Sequence, residues 1–314
     1  MSRGFNLKRH LSVDKELVIV FLLVLITGII HFISNQRAFL NFFYLPVLLG
    51  AYFFGRRHGT LSGVLSVLMV FSLAYFVPDT FYYDTASESS VYKWVDVTTW
   101  AGFLIITGYA MGILYEKKEA YTKELKSTYQ GIVTMLSIVI DSVDRHTYGH
   151  SYRVSRYAEK IANAAKLSDL EVEDIRIAAL LHDLGKIGVS AEILHKIERL
   201  TEEEKKEIMG HTTKAVSLLE PLGGRILKIL PLILNHHERY DGKGYHGLTD
   251  KTIPIGAKLI AVADVYDALT TDRPYRKTLS PIEGRNEIKK GSGTHFDPEI
   301  VRYFEQVFSQ LEVK

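Results

Sequence analysis

Hydrophobic and polar positions divide this chain into two unlike parts. Between residues 17 and 115 the charged residues are Arg37, Arg56, Arg57, Asp79, Asp84, Glu88, Lys93 and Asp96. Four apolar runs lie between them, over residues 17–33, 39–54, 61–77 and 95–115. A bilayer-spanning helix needs roughly 20 apolar residues. The pattern therefore predicts a four-helix transmembrane module over residues 1–115, with the second run short and holding Pro46. The first run follows Arg3, Lys8 and Arg9 but lacks a small-x-small cleavage pattern, so it reads as an anchor rather than a removable signal.

Orientation follows from lysine and arginine in the short connections. Arg3, Lys8, Arg9 and Lys15 precede the first run, Arg56 and Arg57 separate the second from the third, and Lys117 and Lys118 follow the fourth. All three clusters predict that the N-terminus and the C-terminal part face the cytoplasm across a bacterial inner membrane. Tyr75, Phe76, Phe81, Tyr82, Tyr83, Tyr92 and Trp94 form an aromatic belt for the opposite surface. His31, at the outer end of the first span, reads as an interfacial side chain rather than a ligand. The stretch 42–49 followed by Gly55-Arg56-Arg57-His58-Gly59 resembles the multi-span input modules of bacterial sensor proteins.

Beyond Glu116 charge is dense. Residues 116–127 read as a helical linker, and Leu125, Ile132, Met135, Leu136, Val139 and Val143 fall near one helical face. That face suits either a signalling helix paired with its copy in a homodimer or a first helix packed on a soluble core. Helix signals then recur. Ser168 with Glu171, Thr201 with Glu204, and Ser280-Pro281 with Glu283 are capping-box patterns. The second is expected to open one helix running through Ile208, His211, Ala215 and Leu219. Asp297-Pro298 opens the last helix, and residues 255–269 read as a buried, nearly all-apolar helix. Alternating strand patterns are absent. The fold class is all-α: a four-span membrane module followed by a helical bundle over residues 128–314.

Composition narrows the chemistry. The chain has 0 Cys, which excludes disulfides, thiolate metal sites and cysteine nucleophiles. A net charge of +2 gives no field for nucleic acid, so no DNA or RNA partner is expected. What stands out is histidine and aspartate set among apolar residues: His150, His182, Asp183, His211, His236, His237 and Asp264. An ionised aspartate buried alone is costly, and a metal makes it tolerable. Five His and two Asp exceed one tetrahedral ion. Two ions about 3.5–4 Å apart would use them, with Asp183 as the bridging carboxylate. Imidazole with carboxylate suits iron, manganese or zinc.

At these residues a family resemblance enters. His182-Asp183-Leu184-Gly185-Lys186 resembles the signature of the HD superfamily of metal-dependent phosphohydrolases. His236-His237-Glu238-Arg239-Tyr240-Asp241-Gly242-Lys243-Gly244-Tyr245 resembles the extended signature of its HD-GYP branch. The stretches 148–154, 263–276 and 293–298 are similar to further family blocks. The resemblance implies a cyclic di-GMP phosphodiesterase with two divalent ions, iron or manganese, and room for a third. It implies metal ligation by His150, His182, Asp183, His211, His236, His237 and Asp264. It implies that Asp183 and Lys186 serve catalysis, and that Lys186, Arg273, Arg276 and Tyr245 meet the substrate, which is cleaved to a linear product. Alternatives are another cyclic dinucleotide such as cyclic GMP-AMP, or a degenerate domain that binds nucleotide without hydrolysis.

Two departures from the family pattern bear on this. The signature ends in Gly-Tyr-Pro in the family but in Gly244-Tyr245-His246 here, which predicts a looser substrate loop. His146 stands four residues before His150, a spacing at which two helical side chains can reach one ion; a surface histidine is the competing reading.

Overall fold

A computed structural model describes residues 15–32, 37–77, 90–143, 149–196, 198–271 and 278–311. His146, Arg273 and Arg276 lie outside the described residues. The described residues contain helices and no strand; a single isolated bridge joins Ser292 to Phe296. The chain divides into two compact units, Met1–Lys126 and Ser127–Lys314.

The first unit contains α1 (Lys15–Phe32), a 3-10 segment (Arg37–Phe43), α2 (Tyr44–Phe54), α3 (Arg56–Phe76) and the start of α4 (Ser90–Val143). Its core joins Leu23, Phe43, Val47, Val70 and Leu104. Helices α3 and α4 are long and apolar enough to cross a bilayer, whereas α1 and α2 are apolar over the shorter stretches Leu17–Ile29 and Leu40–Phe54. Small residues allow the helices to approach closely: a Cβ on Gly59 would lie 2.9 Å from the Gly108 carbonyl oxygen. At the start of α3 the Arg56 amide donates to Glu116 Oε1 at 3.1 Å. Residues 116–127 are helical, as part of α4.

The second unit holds the remainder of α4 and α5 (His150–Ala164), α6 (Asp169–Leu181), α7 (Ala191–Leu194), α8 (Glu202–Met209), α9 (His211–Leu219), α10 (Ile226–Leu234), α11 (Ile255–Thr270), α12 (Pro281–Lys290) and α13 (Pro298–Leu311). All three expected capping boxes form, at Ser168, Thr201 and Ser280. Each satisfies two amides at a helix start. The helix expected to run from Thr201 through Leu219 is broken instead at Gly210, so His211 opens α9 rather than lying inside α8. Glycine costs a helix interior about 1 kcal/mol relative to alanine, and here it marks the break.

The core of this unit gathers Ile161, Leu180, Leu181, Ile229, Ile233, Leu259, Ile260 and Phe304, all buried. From α4, Val133 and Ile140 enter it. Of the connector face read from the sequence, Leu136 packs on this core while Leu125, Ile132, Met135 and Val139 stay exposed. The stripe that packs on the core thus lies about one residue round from the exposed apolar face.

Candidate metal centre

The metal-ligand candidates sit mostly at helix ends. His150 is the first residue of α5, His182 caps the C-terminus of α6, His211 opens α9, and His236-His237 follow the end of α10. Asp264 is the exception, lying inside α11. Helices α5, α6, α9, α10 and α11 converge here, so residues far apart in sequence meet without any strand to align them.

The side chains form two groups. Asp183, His211, His236 and His237 place one ligand atom each within 4.8 Å of one another, and so do His150, His182 and Asp264. Asp183 faces both. Its Oδ1 lies 3.5 Å from His211 Nε2, while Oδ2 lies 3.3 Å from His182 Nε2 and 3.9 Å from His150 Nε2. His150 Nε2 is 3.2 Å from Asp264 Oδ1. One carboxylate thus offers a different oxygen to each group, the arrangement expected of the bridge between two ions.

Histidine tautomers point the same way. The Nδ1 atoms of His182, His211 and His236 each lie 2.7 Å from a backbone carbonyl oxygen, those of Ala179, Ile208 and Ile233. A carbonyl only accepts, so Nδ1 carries the proton and a neutral ring turns an unprotonated Nε2 inward. His211 Nε2 and His236 Nε2 are buried and have no hydrogen-bond partner. Buried polar atoms are almost always satisfied, and a divalent cation satisfies a bare imidazole nitrogen. The donor set, imidazole nitrogen with carboxylate oxygen, fits a pair of such ions.

Charge in the centre is divided. Burial holds His236 well below the usual histidine range, reinforced by His237 and His182 nearby. Burial also lowers His211, and takes His237 down to about 4. Burial opposes protonation of His182 and His150 as well. Asp183 overcomes it at His182, and hydrogen bonds that His150 donates to Asp264 and Asp267 raise it to about 10. Asp183 and Asp264 are buried too, yet His182 and Lys186 beside the first, and His150 beside the second, hold both carboxyls far below their ordinary range.

A family model described as HD domain matches residues 134–300, more than half of the chain. The chain belongs to the HD domain family. A cyclic di-GMP phosphodiesterase of Thermotoga maritima is 35% identical over 194 residues, 61% of this chain and 53% of that protein. A 3'3'-cGAMP-specific phosphodiesterase of Vibrio cholerae is 32% identical over 195 residues, 62% of this chain and 37% of the relative. A cyclic di-GMP phosphodiesterase of Pseudomonas aeruginosa is 37% identical over 172 residues, 54% of this chain and 41% of the relative. The chain spans about half the length, or less, of these curated relatives.

The HD domain thus brings all seven expected ligands together. Lys186 lies with its Nζ 2.7 Å from Asp183 Oδ2, against the shared carboxylate. The Tyr245 ring lies against that of His237, with centroids 4.6 Å apart and planes tilted by 38°.

Two functional residues went unassigned in the sequence. Asp267, 1% exposed, accepts from His150 Nδ1 at 2.7 Å and is itself gripped by Arg153 at 2.6 and 2.9 Å. It orients the His150 ring from behind, and its position three residues after Asp264 on α11 was the available signal. Glu238, 4% exposed, accepts the amides of His246 at 2.5 Å and Leu248 at 2.8 Å. A Cβ on Gly244 would lie 2.5 Å from Glu238 Cα, so only glycine fits beneath this clamp. The loop expected to be looser with His246 is therefore pinned, through an amide that proline does not possess.

Proposed function

We propose that this chain is a metal-dependent phosphodiesterase of the HD-GYP branch that opens cyclic di-GMP to a linear product. The observation that carries the reading is Asp183, whose two oxygens face two separate groups of imidazole and carboxylate ligands. Two divalent ions in such a site, iron or manganese, supply a nucleophile from water at neutral pH and neutralise phosphoryl charge. His211, His236, His237 and Asp183 would hold one, and His150, His182, Asp264 and Asp183 the other. Lys186 is 18% exposed at its side chain and reaches the shared carboxylate, so its ammonium stands beside any phosphate entering the centre. Arg273 and Arg276 serve as phosphate clamps in this reading, and Tyr245 lines the entrance beside His237. His146 is the candidate ligand for a third ion.

The substrate class rests on the relatives, which are named for cyclic di-GMP and for cyclic GMP-AMP. Cyclic GMP-AMP is therefore the second substrate to test. The complete ligand set favours an enzyme over a receptor that binds without hydrolysis.

The same reading places the protein in the bacterial inner membrane, with four spans and both the N-terminus and the HD domain cytoplasmic. Lengths of α3 and α4 support two of these spans. The orientation is supported by Arg56 over the Tyr109 ring at 5.8 Å and Lys118 over the Tyr52 ring at 5.7 Å, cations and aromatics gathered as at a cytoplasmic interface. A homodimer through α4 is part of the proposal: Leu125, Ile132, Met135 and Val139 are exposed at steps of seven, three and four residues, the spacing of a coiled-coil seam.

The test is turnover by the purified full chain in detergent with manganese or iron, on each cyclic dinucleotide separately. Metal-dependent linear product from cyclic di-GMP, lost in Asp183→Asn, is expected. No turnover of any cyclic dinucleotide by metal-loaded protein would overturn the enzymatic reading.

A further inference from the structure

Helix α5 begins on a ligand of the metal centre, and its first turn has no cap of its own. Gly149 occupies the N-cap position with no side chain to offer, and the first turn holds no acidic residue. The first amides of a helix have no partner within it and depend on outside acceptors. His150 is thus at the place where a helix frays most readily.

The acceptor comes from another helix. Asp141, near the end of α4, receives the Ser151 amide at 3.3 Å and the Ser151 hydroxyl at 2.6 Å, both on Oδ1. All three partners are buried: Asp141 is 6% exposed, Ser151 0% and His150 3%. A carboxylate at a helix N-terminus also meets the positive end of the helix dipole. Asp267 fixes the His150 ring by its Nδ1 at 2.7 Å, but a ring anchor leaves the backbone of the first turn free to open. Asp141 supplies the backbone anchor.

We propose that Asp141 is a positioning residue for the metal centre: it clamps the first turn of α5 and so sets His150 in place beside His182 and Asp264. It touches neither ion nor substrate. The inference rests on the two-ion reading above and adds to it a residue of α4 that governs one of the two groups and not the other.

The experiment is titration of the metal-free full chain with manganese(II), reading the number and affinity of ions bound by calorimetry. Wild type should bind two ions. Asp141→Ala should keep one at wild-type affinity and bind the second about 10–100-fold more weakly, the usual effect of losing an outer-shell anchor. Asp141→Asn retains an acceptor for Ser151 and should restore most of that affinity. Ser151→Ala removes the shorter of the two bonds and should weaken the same single ion, which keeps the test open should Asp141→Ala fail to fold. Two ions at wild-type affinity in Asp141→Ala and Ser151→Ala, or equal weakening of both, would overturn the assignment. A wild-type chain that takes up no manganese overturns the metal reading itself, a result plainly distinct from selective failure at Asp141.

Discussion

Gly185 and His211 meet backbone to backbone: a Cβ on Gly185 would stand 1.8 Å from the His211 carbonyl oxygen and 2.7 Å from the Ala215 amide nitrogen. This contact lays the turn after His182-Asp183 directly on α9, and it brings Asp183 Oδ1 to 3.5 Å from His211 Nε2. Gly185→Ala must push α9 away. Because the clash is with backbone, no side-chain rotation relieves it. The expected outcome is a loss of about 1–3 kcal/mol in stability together with a fall in bound metal, read by thermal unfolding and elemental analysis. Normal metal content in a stable Gly185→Ala protein would contradict the contact.

Asp267→Asn removes the negative charge behind His150 while keeping its shape. Arg153 then faces a neutral amide in place of a carboxylate, and the His150 ring keeps only a weaker, uncharged acceptor, on a side chain whose amide nitrogen competes for the same position. Metal affinity or activity is expected to fall about 10–100-fold, without loss of helical content by circular dichroism.

Proton linkage sets the stability profile of the metal-free protein. His211, His236 and His237 have folded pKa values below the unfolded value, about 4 for His237. The unfolded chain therefore binds more protons as pH falls from about 6.5 toward 4, and stability drops over that window, by on the order of 3 kcal/mol for His237 alone. His150, raised to about 10, and His182, also raised, act oppositely. Their contribution is complete below pH ~6.5 and is lost as pH rises toward 10. Denaturant unfolding of metal-free protein should thus show a maximum near pH 6.5, and a profile that climbs steadily from pH 5 to 9 would contradict these environments.

At His246 the family pattern and this chain part company. Proline there would leave Glu238 Oε1 without the His246 amide, and a buried acceptor left unpaired costs about 1–3 kcal/mol. His246→Pro is expected to lower thermal stability by that order while leaving metal content unchanged, since His236 and His237 are held by α10. Equal or higher stability in His246→Pro would show that the Glu238 clamp does not depend on this amide.

Much of the second unit is legible from local signals. Capping boxes at Ser168, Thr201 and Ser280 need only residues three apart, and they formed as read. The seven candidate ligands are weak signals one at a time and become legible together, as polar side chains at apolar positions that fall in the family motifs. The break at Gly210 was missed because a single glycine is compatible with a continuing helix. Partners 114 and 117 residues apart, Arg153 and His150 with Asp267, leave no local trace. Nor does Glu238, whose charged flank with Arg239 and Asp241 resembles solvated surface. The two readings of the α4 face stayed open in the sequence because Ile132, Met135 and Val139 are as apolar as the buried Val133 and Ile140, and hydrophobicity alone does not say which stripe meets the core.

The account stands most directly on whether both ligand groups must be filled for hydrolysis. The measurement is cyclic di-GMP turnover by the full chain during stepwise addition of manganese(II) to metal-free protein, with bound ions counted in parallel. The account predicts negligible product up to one ion per chain and a rise to full activity as the second ion binds. Full activity at one ion per chain, or activity that persists after complete chelation, would contradict it.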